Sequence, residues 1–215
     1  MKKSTVLSVN IGQKKILTFN KKTIETGIFK YTVNSNIHLK KQGVKNDNVI
    51  DKKHHGGSEK AVYAFCKNHY GYFQKLYPNL DFRNGMFGEN LTVSNLFETE
   101  VYIGDVFKIG NAIIQVSQPR YPCYKLGLVF NNQKIVKQFL NTTFTGFYFR
   151  VMQEGTISKG DEIQLIKKAE NSMTLAEVFS LYTTNKNNLS MIKNALKLDF
   201  LSDEAKVRFK KQIQN

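Results

Sequence analysis

The sequence predicts a mainly β fold: a closed or partly closed barrel of short strands, with one prominent helix and a small C-terminal three-helix unit. Three observations predict it. Short alternating apolar segments, bounded by polar or glycine turns, recur through residues 1–169. These strands are too short and too numerous for a doubly wound parallel sheet, and a closed sheet would hide their edges. Beyond Ala169 the alternation stops and helical spacing replaces it, which divides the chain at 1–169 and 170–215.

Taken in order, STVLSVNIG reads as the first strand, and KKILTFN and ETGIFKYTV as further short strands. HLKKQGVKNDNVID reads as strand, turn and strand, with Gly43 at the turn. Val62, Phe65, Cys66, His69, Phe73 and Leu76 then recur at helical spacing. With Ser58 as N-cap and Pro78 as the far boundary they predict one helix over 59–77. ENLTVSN, VYIGDVFKIG and NAIIQVSQPR return to strands. Gly104-Asp105 and Gly160-Asp161 each precede an alternating strand, so the two read as turn-and-strand devices of one sheet. QKIVKQFLN is a short helix and TGFYFRVMQEG a strand. The tail carries SMTLAEVFSLYTT, NLSMIKNALKL and LSDEAKVRFKKQIQ, with Thr174 and Ser202 as candidate caps. Helices this short must pack on one another, on the barrel or on a second subunit, and the last of these makes a homodimer an expectation.

The 215 residues are 41% hydrophobic, with 16 Phe and 10 Tyr, which excludes a disordered chain. Two cysteines make no disulfide framework. No apolar h-region follows the N-terminal MKKSTVLSVNIGQKK and no apolar run is long enough to span a bilayer, so a cytoplasmic protein without membrane contact is expected. The net charge of +15 draws anions: nucleic acid, nucleotides or a phosphorylated cofactor. Residues 1–60 hold 13 lysines against four acidic side chains, so the field concentrates there. Nucleic acid is not the expected partner, because no reading motif accompanies the charge.

Cys123 stands in QPRYPCYKLG, with Pro122 before it and Arg120 and Lys125 on either side. A cysteine nucleophile or soft-metal ligand acts as the thiolate, and nearby cations favour that form. Pro119 and Pro122 stiffen the loop. The blander alternative is an incidental loop cysteine. Cys66, on the apolar stripe, reads as a small core residue. In DKKHHGGSEKAVY, His54 and His55 precede Gly56 and Gly57 at a helix start. Open N–H groups there, with Lys52, Lys53 and Lys60 near, make an anion cradle or simply a turn of small residues. In RNGMFGENLTV, Asn90 offers a donor and an acceptor to a heterocycle, or bonds its own turn. Arg150 either clamps an anion or meets solvent from its strand. Tyr121, Tyr124 and Tyr148 line an aromatic pocket or pack ordinarily. No paired carboxylates, Gly-x-Ser-x-Gly, Walker A, dinucleotide fingerprint or zinc spacing is present.

KKHHGGSEKAVY, GMFGENLTV, IGDVFKIGNAIIQVSQPRYPCYKLG and TGFYFRVMQEGTISKGDEIQLI, in this order, resemble the MOSC domain. This is the C-terminal domain of molybdenum cofactor sulfurases, and the likeness extends to the bacterial 6-N-hydroxylaminopurine resistance proteins, tail included. The resemblance implies a MOSC-type β-barrel, pyruvate kinase barrel-like. It implies molybdenum cofactor (molybdopterin with Mo) and no pyridoxal phosphate. The activity implied is reduction of a small-molecule N-hydroxylated substrate such as an N-hydroxylated purine base analogue. The alternative is a cofactor carrier or sulfur-transfer module without turnover. A separate electron-donor protein is implied, because no ferredoxin-type cysteine cluster or flavin motif is present. By the same resemblance Cys123 is the metal ligand and, with His54 and His55, catalytic. Lys53, Gly56, Gly57, Asn90, Arg120, Cys123 and Arg150 are then the cofactor-binding residues. Phe144 departs from the pattern, standing where relatives carry an arginine before Thr-Gly.

Overall fold

A computed structural model describes residues 3–51 and 55–214. The strands in chain order are β1 (Val6–Gly12), β2 (Lys15–Phe19), β3 (Lys22–Thr26), β4 (Lys30–Thr32), β5 (Ile37–Lys40), β6 (Gly43–Val44), β7 (Val62–Cys66), β8 (Leu91–Val93), β9 (Val106–Ile109), β10 (Ala112–Pro119), β11 (Phe147–Gln153), β12 (Gly155–Ile157) and β13 (Ile163–Lys167). Eight of them form one sheet in the order β13-β9-β10-β11-β7-β8-β1-β4. A three-stranded sheet, β12-β5-β6, and the β2-β3 hairpin stand apart from it.

The expected helix over 59–77 is mostly strand. Only a 3-10 turn at Ser58–Lys60, a second at Lys67–His69 and α1 (Tyr70–Leu76) are helical. Between them β7 pairs with β11 on one side and, in parallel, with β8 on the other. Every residue of β7 is buried. A strand buried on both faces is apolar at every position, so a helical subset of its residues carries no information. Cys66 is buried in this strand, and burial pushes its thiol up to about 11.

The two Gly-Asp devices form as expected. Gly104 and Gly160 both sit at φ 93°, a conformation that favours glycine. Asp105 accepts from the Tyr102 N–H at 2.9 Å and Asp161 from the Ser158 N–H at 2.8 Å. The strands that follow, β9 and β13, pair with each other.

An aromatic cluster lies against β7, built from Phe65, Phe73, Phe87, Phe130 and Phe139 with their neighbours. Phe65 and Phe87 stack at 4.2 Å. Two short helices dock there, α2 (Tyr124–Val129) through Leu126 and α3 (Lys134–Leu140) through Ile135 and Phe139. Helix α2 had no counterpart among the elements the sequence predicts.

The predicted barrel, MOSC-type or pyruvate kinase barrel-like, does not form: the eight-stranded sheet is open, with β13 and β4 as its edges. Thr5 bridges Glu162, and backbone hydrogen bonds join Ser4 and Val6 to Gly160, Asp161 and Ile163, but among the described residues β1 and β13 form no strand ladder. The apolar face is covered by helices instead. Leu175 and Val178 of α4 (Leu175–Ser180), Ile192 and Ala195 of α5 (Leu189–Leu196), and Phe209 of α6 (Asp203–Gln214) share one buried cluster with Phe107, Val116 and Phe149 of the sheet. Thr174 caps α4 reciprocally with Glu177, and the Ser202 hydroxyl accepts from the Ala205 N–H at 3.2 Å. Among the described residues no helix is long and apolar enough to cross a membrane.

Candidate functional site

Cys123 sits at the junction of β10, which ends at Pro119, and α2, of which it is the N-cap residue. Leu126 is fully buried in the aromatic cluster and anchors the helix three residues on. The thiol is therefore held by packed structure on both sides, yet the residue remains half-exposed. Arg120 is buried beneath it. Its guanidinium donates to the Phe87 carbonyl and to the Tyr63 hydroxyl at 3.4 Å, and lies over the Tyr63 ring.

Cys123 and Arg120 line a narrow cavity of about 70 Å³. His55, Lys60, Asn90, Lys125, Tyr63 and Tyr148 share its wall. Two further members, Lys30 and Asp47, were not among the sequence candidates. They form a buried ion pair. Asp47 also accepts from the Gly12 N–H at 2.6 Å and from the Asn90 amide at 2.9 Å. Burial lowers the Lys30 pKa and Asp47 opposes that shift. Lys30 follows Ile28 by two residues, so a lysine in phase with an apolar position at the start of β4 was the available signal.

The cavity is rich in cations. Lys30, Lys60, Arg120 and Lys125 border it. Lys60 pairs with Glu204 of α6, and Lys125 Nζ lies 3.9 Å from Asp51. A wall of this kind favours an anionic group on a flat polar ligand.

His55 lies in the same wall. Burial, reinforced by the Arg120, Lys125 and Lys60 charges, lowers its pKa to about 4. It is neutral at physiological pH and can donate from one ring nitrogen and accept at the other. The folded chain binds this proton less tightly than the unfolded one. His55 therefore contributes stability above about pH 6.5 that is lost as pH falls towards 4. We expect an NMR titration of the His55 ring to show its midpoint near 4. A midpoint at the ordinary value of 6.5 would contradict this environment.

The remaining predicted residues are placed as follows. Asn90 lines the cavity, but its amide is already engaged, donating to Asp47 and the Asn10 carbonyl and accepting from the Tyr63 N–H. It holds Asp47 in place. Arg150 forms a bidentate pair with Glu59 and donates to the Phe200 carbonyl at 2.8 Å, tying β11 to the C-terminal segment. Gly57, at φ 87°, turns the chain into the Ser58–Lys60 segment that delivers Lys60 to the wall. Gly56 is half-buried beside it. Lys53 and His54 lie outside the described residues. The Phe144 ring stacks on His69 at 4.0 Å, within the aromatic region.

Among the described residues no group of three or more His, Cys, Asp or Glu side chains gathers where it could hold a metal ion. Cys123 is the cavity's thiol. A metal held there would bring most of its ligands with it.

Comparison with known proteins places these features in context. Residues 51–164 match the MOSC domain. The chain is 36% identical over 208 residues to the protein YflK of Bacillus subtilis, covering 97% of this chain and 94% of that one. It is 30% identical over 193 residues to a protein of Gibberella moniliformis named as a reductase, covering 87% of this chain and 34% of the longer fungal protein. The crystal structure of YiiM from Geobacillus stearothermophilus superposes with a TM-score of 0.83 at 30% identity, covering 98% of this chain and 99% of that one.

Proposed function

The chain belongs to the MOSC domain family, whose general province is molybdenum-cofactor-linked sulfur and redox chemistry, and from that premise we propose that it binds molybdenum cofactor beside Cys123 and reduces N-hydroxylated compounds. The observation that carries this reading is the half-exposed thiol on a packed loop, opening onto a cavity bordered by four cations. The residues present fit the group. A soft thiolate suits a thiophilic metal. Lys60, Lys125 and Arg120 suit a phosphate, and the Lys30–Asp47 pair, held in place by Asn90, gives the wall a polar side for a pterin. The relative of Gibberella moniliformis named as a reductase, of which this chain matches 34%, is in keeping with the redox assignment.

The bound cofactor supplies two-electron chemistry at molybdenum. The chain's own residues bind it, orient it and manage protons. Cys123 offers its sulfur to the metal. Tyr148, whose pKa burial raises to about 12, keeps its hydroxyl proton and stays neutral in the wall. His55, neutral and able to donate from one ring nitrogen and accept at the other, passes protons on rather than storing them. Lys53 and His54 adjoin it in sequence. The reaction balances as R–NH–OH plus two electrons and two protons giving R–NH2 and water. The N–O bond breaks, and a separate electron-donor protein supplies the electrons. N-hydroxylated purine base analogues are the substrates we assign.

The test is reduction of 6-N-hydroxylaminopurine by cofactor-loaded protein with a competent electron donor. Formation of the amine with one water released per two electrons is expected. Loaded protein without turnover would overturn the reductase assignment and leave a cofactor carrier or sulfur-transfer module.

A further inference from the structure

A second cavity, of about 320 Å³, adjoins the first at Cys123. It shares Asp51, His55, Lys60, Cys123, Lys125 and Tyr148 with the first, so the two are continuous around the thiol. Its other walls come from the sequence flanking Cys123, through Tyr121 and Tyr124, and from one face of α6, through Glu204 and Arg208.

These walls are set before any ligand arrives. The Arg208 guanidinium lies 4.0 Å from the Tyr121 ring centroid and 4.6 Å from that of Tyr182. Tyr182 in turn stacks on the buried Phe209 at 4.9 Å. An arginine on the surface of α6 is thus held against two rings, one of them backed by Phe209, while Glu204, one turn earlier, is committed to Lys60. Across the mouth, the exposed Tyr124 ring is backed by Phe19 of the β2-β3 hairpin, stacked at 5.3 Å. The amide of Gln118 also lines this space, its carbonyl oxygen occupied by the Ser202 hydroxyl, which leaves its N–H donors.

We propose that this second cavity is the substrate subsite, built for a flat heteroaromatic ring carrying the N-hydroxyl group. The inference rests on the cofactor reading above and deepens it. With the cofactor in the first cavity, a ring held by Tyr124, Tyr121 and Arg208 brings its N–O bond to the junction at Cys123. Aromatic and guanidinium planes stack on any heterocyclic base, and pre-set planes lose little entropy on binding. Helix α6 of the tail is then the wall that selects flat substrates over aliphatic N-hydroxylamines.

The test uses cofactor-loaded wild type beside Arg208→Ala and Arg208→Lys. Three quantities are read: molybdenum content, the ratio of kcat/KM for 6-N-hydroxylaminopurine to that for an N-hydroxyalkylamine, and ligand-observed NMR binding of adenine, which needs no turnover. Both variants are expected to keep wild-type molybdenum. Their kcat/KM ratio should fall about ten-fold and adenine binding should weaken by a similar factor. Lysine should not restore either, because it lacks the planar fork. An unchanged ratio and unchanged adenine binding at full molybdenum content would overturn the subsite and leave the cofactor reading intact. Loss of molybdenum in both variants would also overturn it, assigning Arg208 to the cofactor or the fold. Wild type that takes up no molybdenum would overturn the cofactor reading itself.

Discussion

Cys123→Ala is expected to lower reduction of N-hydroxylated substrate by at least about a hundred-fold. Groups that merely orient a metal's ligands cost ten- to a hundred-fold when removed, and a sulfur offered directly to the metal stands closer than those. The substitution should leave the fold intact. The residue is half-exposed, its backbone carbonyl rather than its side chain bonds into α2, and the aromatic cluster beneath is anchored by Leu126. The check is steady-state turnover of 6-N-hydroxylaminopurine alongside a thermal melt. A stable variant with near wild-type turnover would contradict the role given to this sulfur.

Asp47→Ala should have the largest effect on stability, about 3–5 kcal/mol, because it strands a buried lysine. Asp47 is the carboxylate partner of Lys30, and it also satisfies the Gly12 N–H and the Asn90 amide. With the carboxylate gone, burial acts on Lys30 unopposed. The loss has a pH signature. In the folded state Lys30 holds its proton less tightly than its ordinary value of 10.5, so over that interval the unfolded chain binds more protons and stability rises with pH. The variant should gain stability from pH 7 towards 10 more steeply than wild type. Replacing both partners by Lys30→Met with Asp47→Leu should recover much of the loss, since no charge is left buried alone. Denaturant unfolding at several pH values measures this. A cost under about 1 kcal/mol for Asp47→Ala would show that the pair does not carry the cavity floor.

Local signals were legible in the sequence and non-local ones were not. Cys123 announced itself through its immediate neighbours, and the Gly-Asp turns through a glycine followed by an alternating strand. Thr174 and Ser202 were readable as caps for the same reason. Asp47 and Lys30 come from separate segments and meet only in the folded chain, so the phase of Lys30 with Ile28 was the one local signal and nothing pointed to the pairing. Arg150 and Asn90 looked available for a ligand because the sequence does not disclose Glu59 or Asp47 as their partners. The strand at Val62–Cys66 was misread because burial on both faces erases the period that distinguishes strand from helix. The barrel was misread because strand count says nothing about closure. Here helices from the tail cover the apolar face and leave the sheet open. Glu204 and Arg208 were not among the sequence candidates, because their place in a cavity wall depends on how α6 docks.

The central claim is that the Cys123 sulfur retains molybdenum in the cavity it borders. Molybdenum per chain, measured on wild type and Cys123→Ala purified side by side from a host that makes the cofactor, tests it most directly. The account predicts close to one molybdenum per wild-type chain and a small fraction of that in the variant. Equal molybdenum in both proteins, or none in wild type, would contradict it.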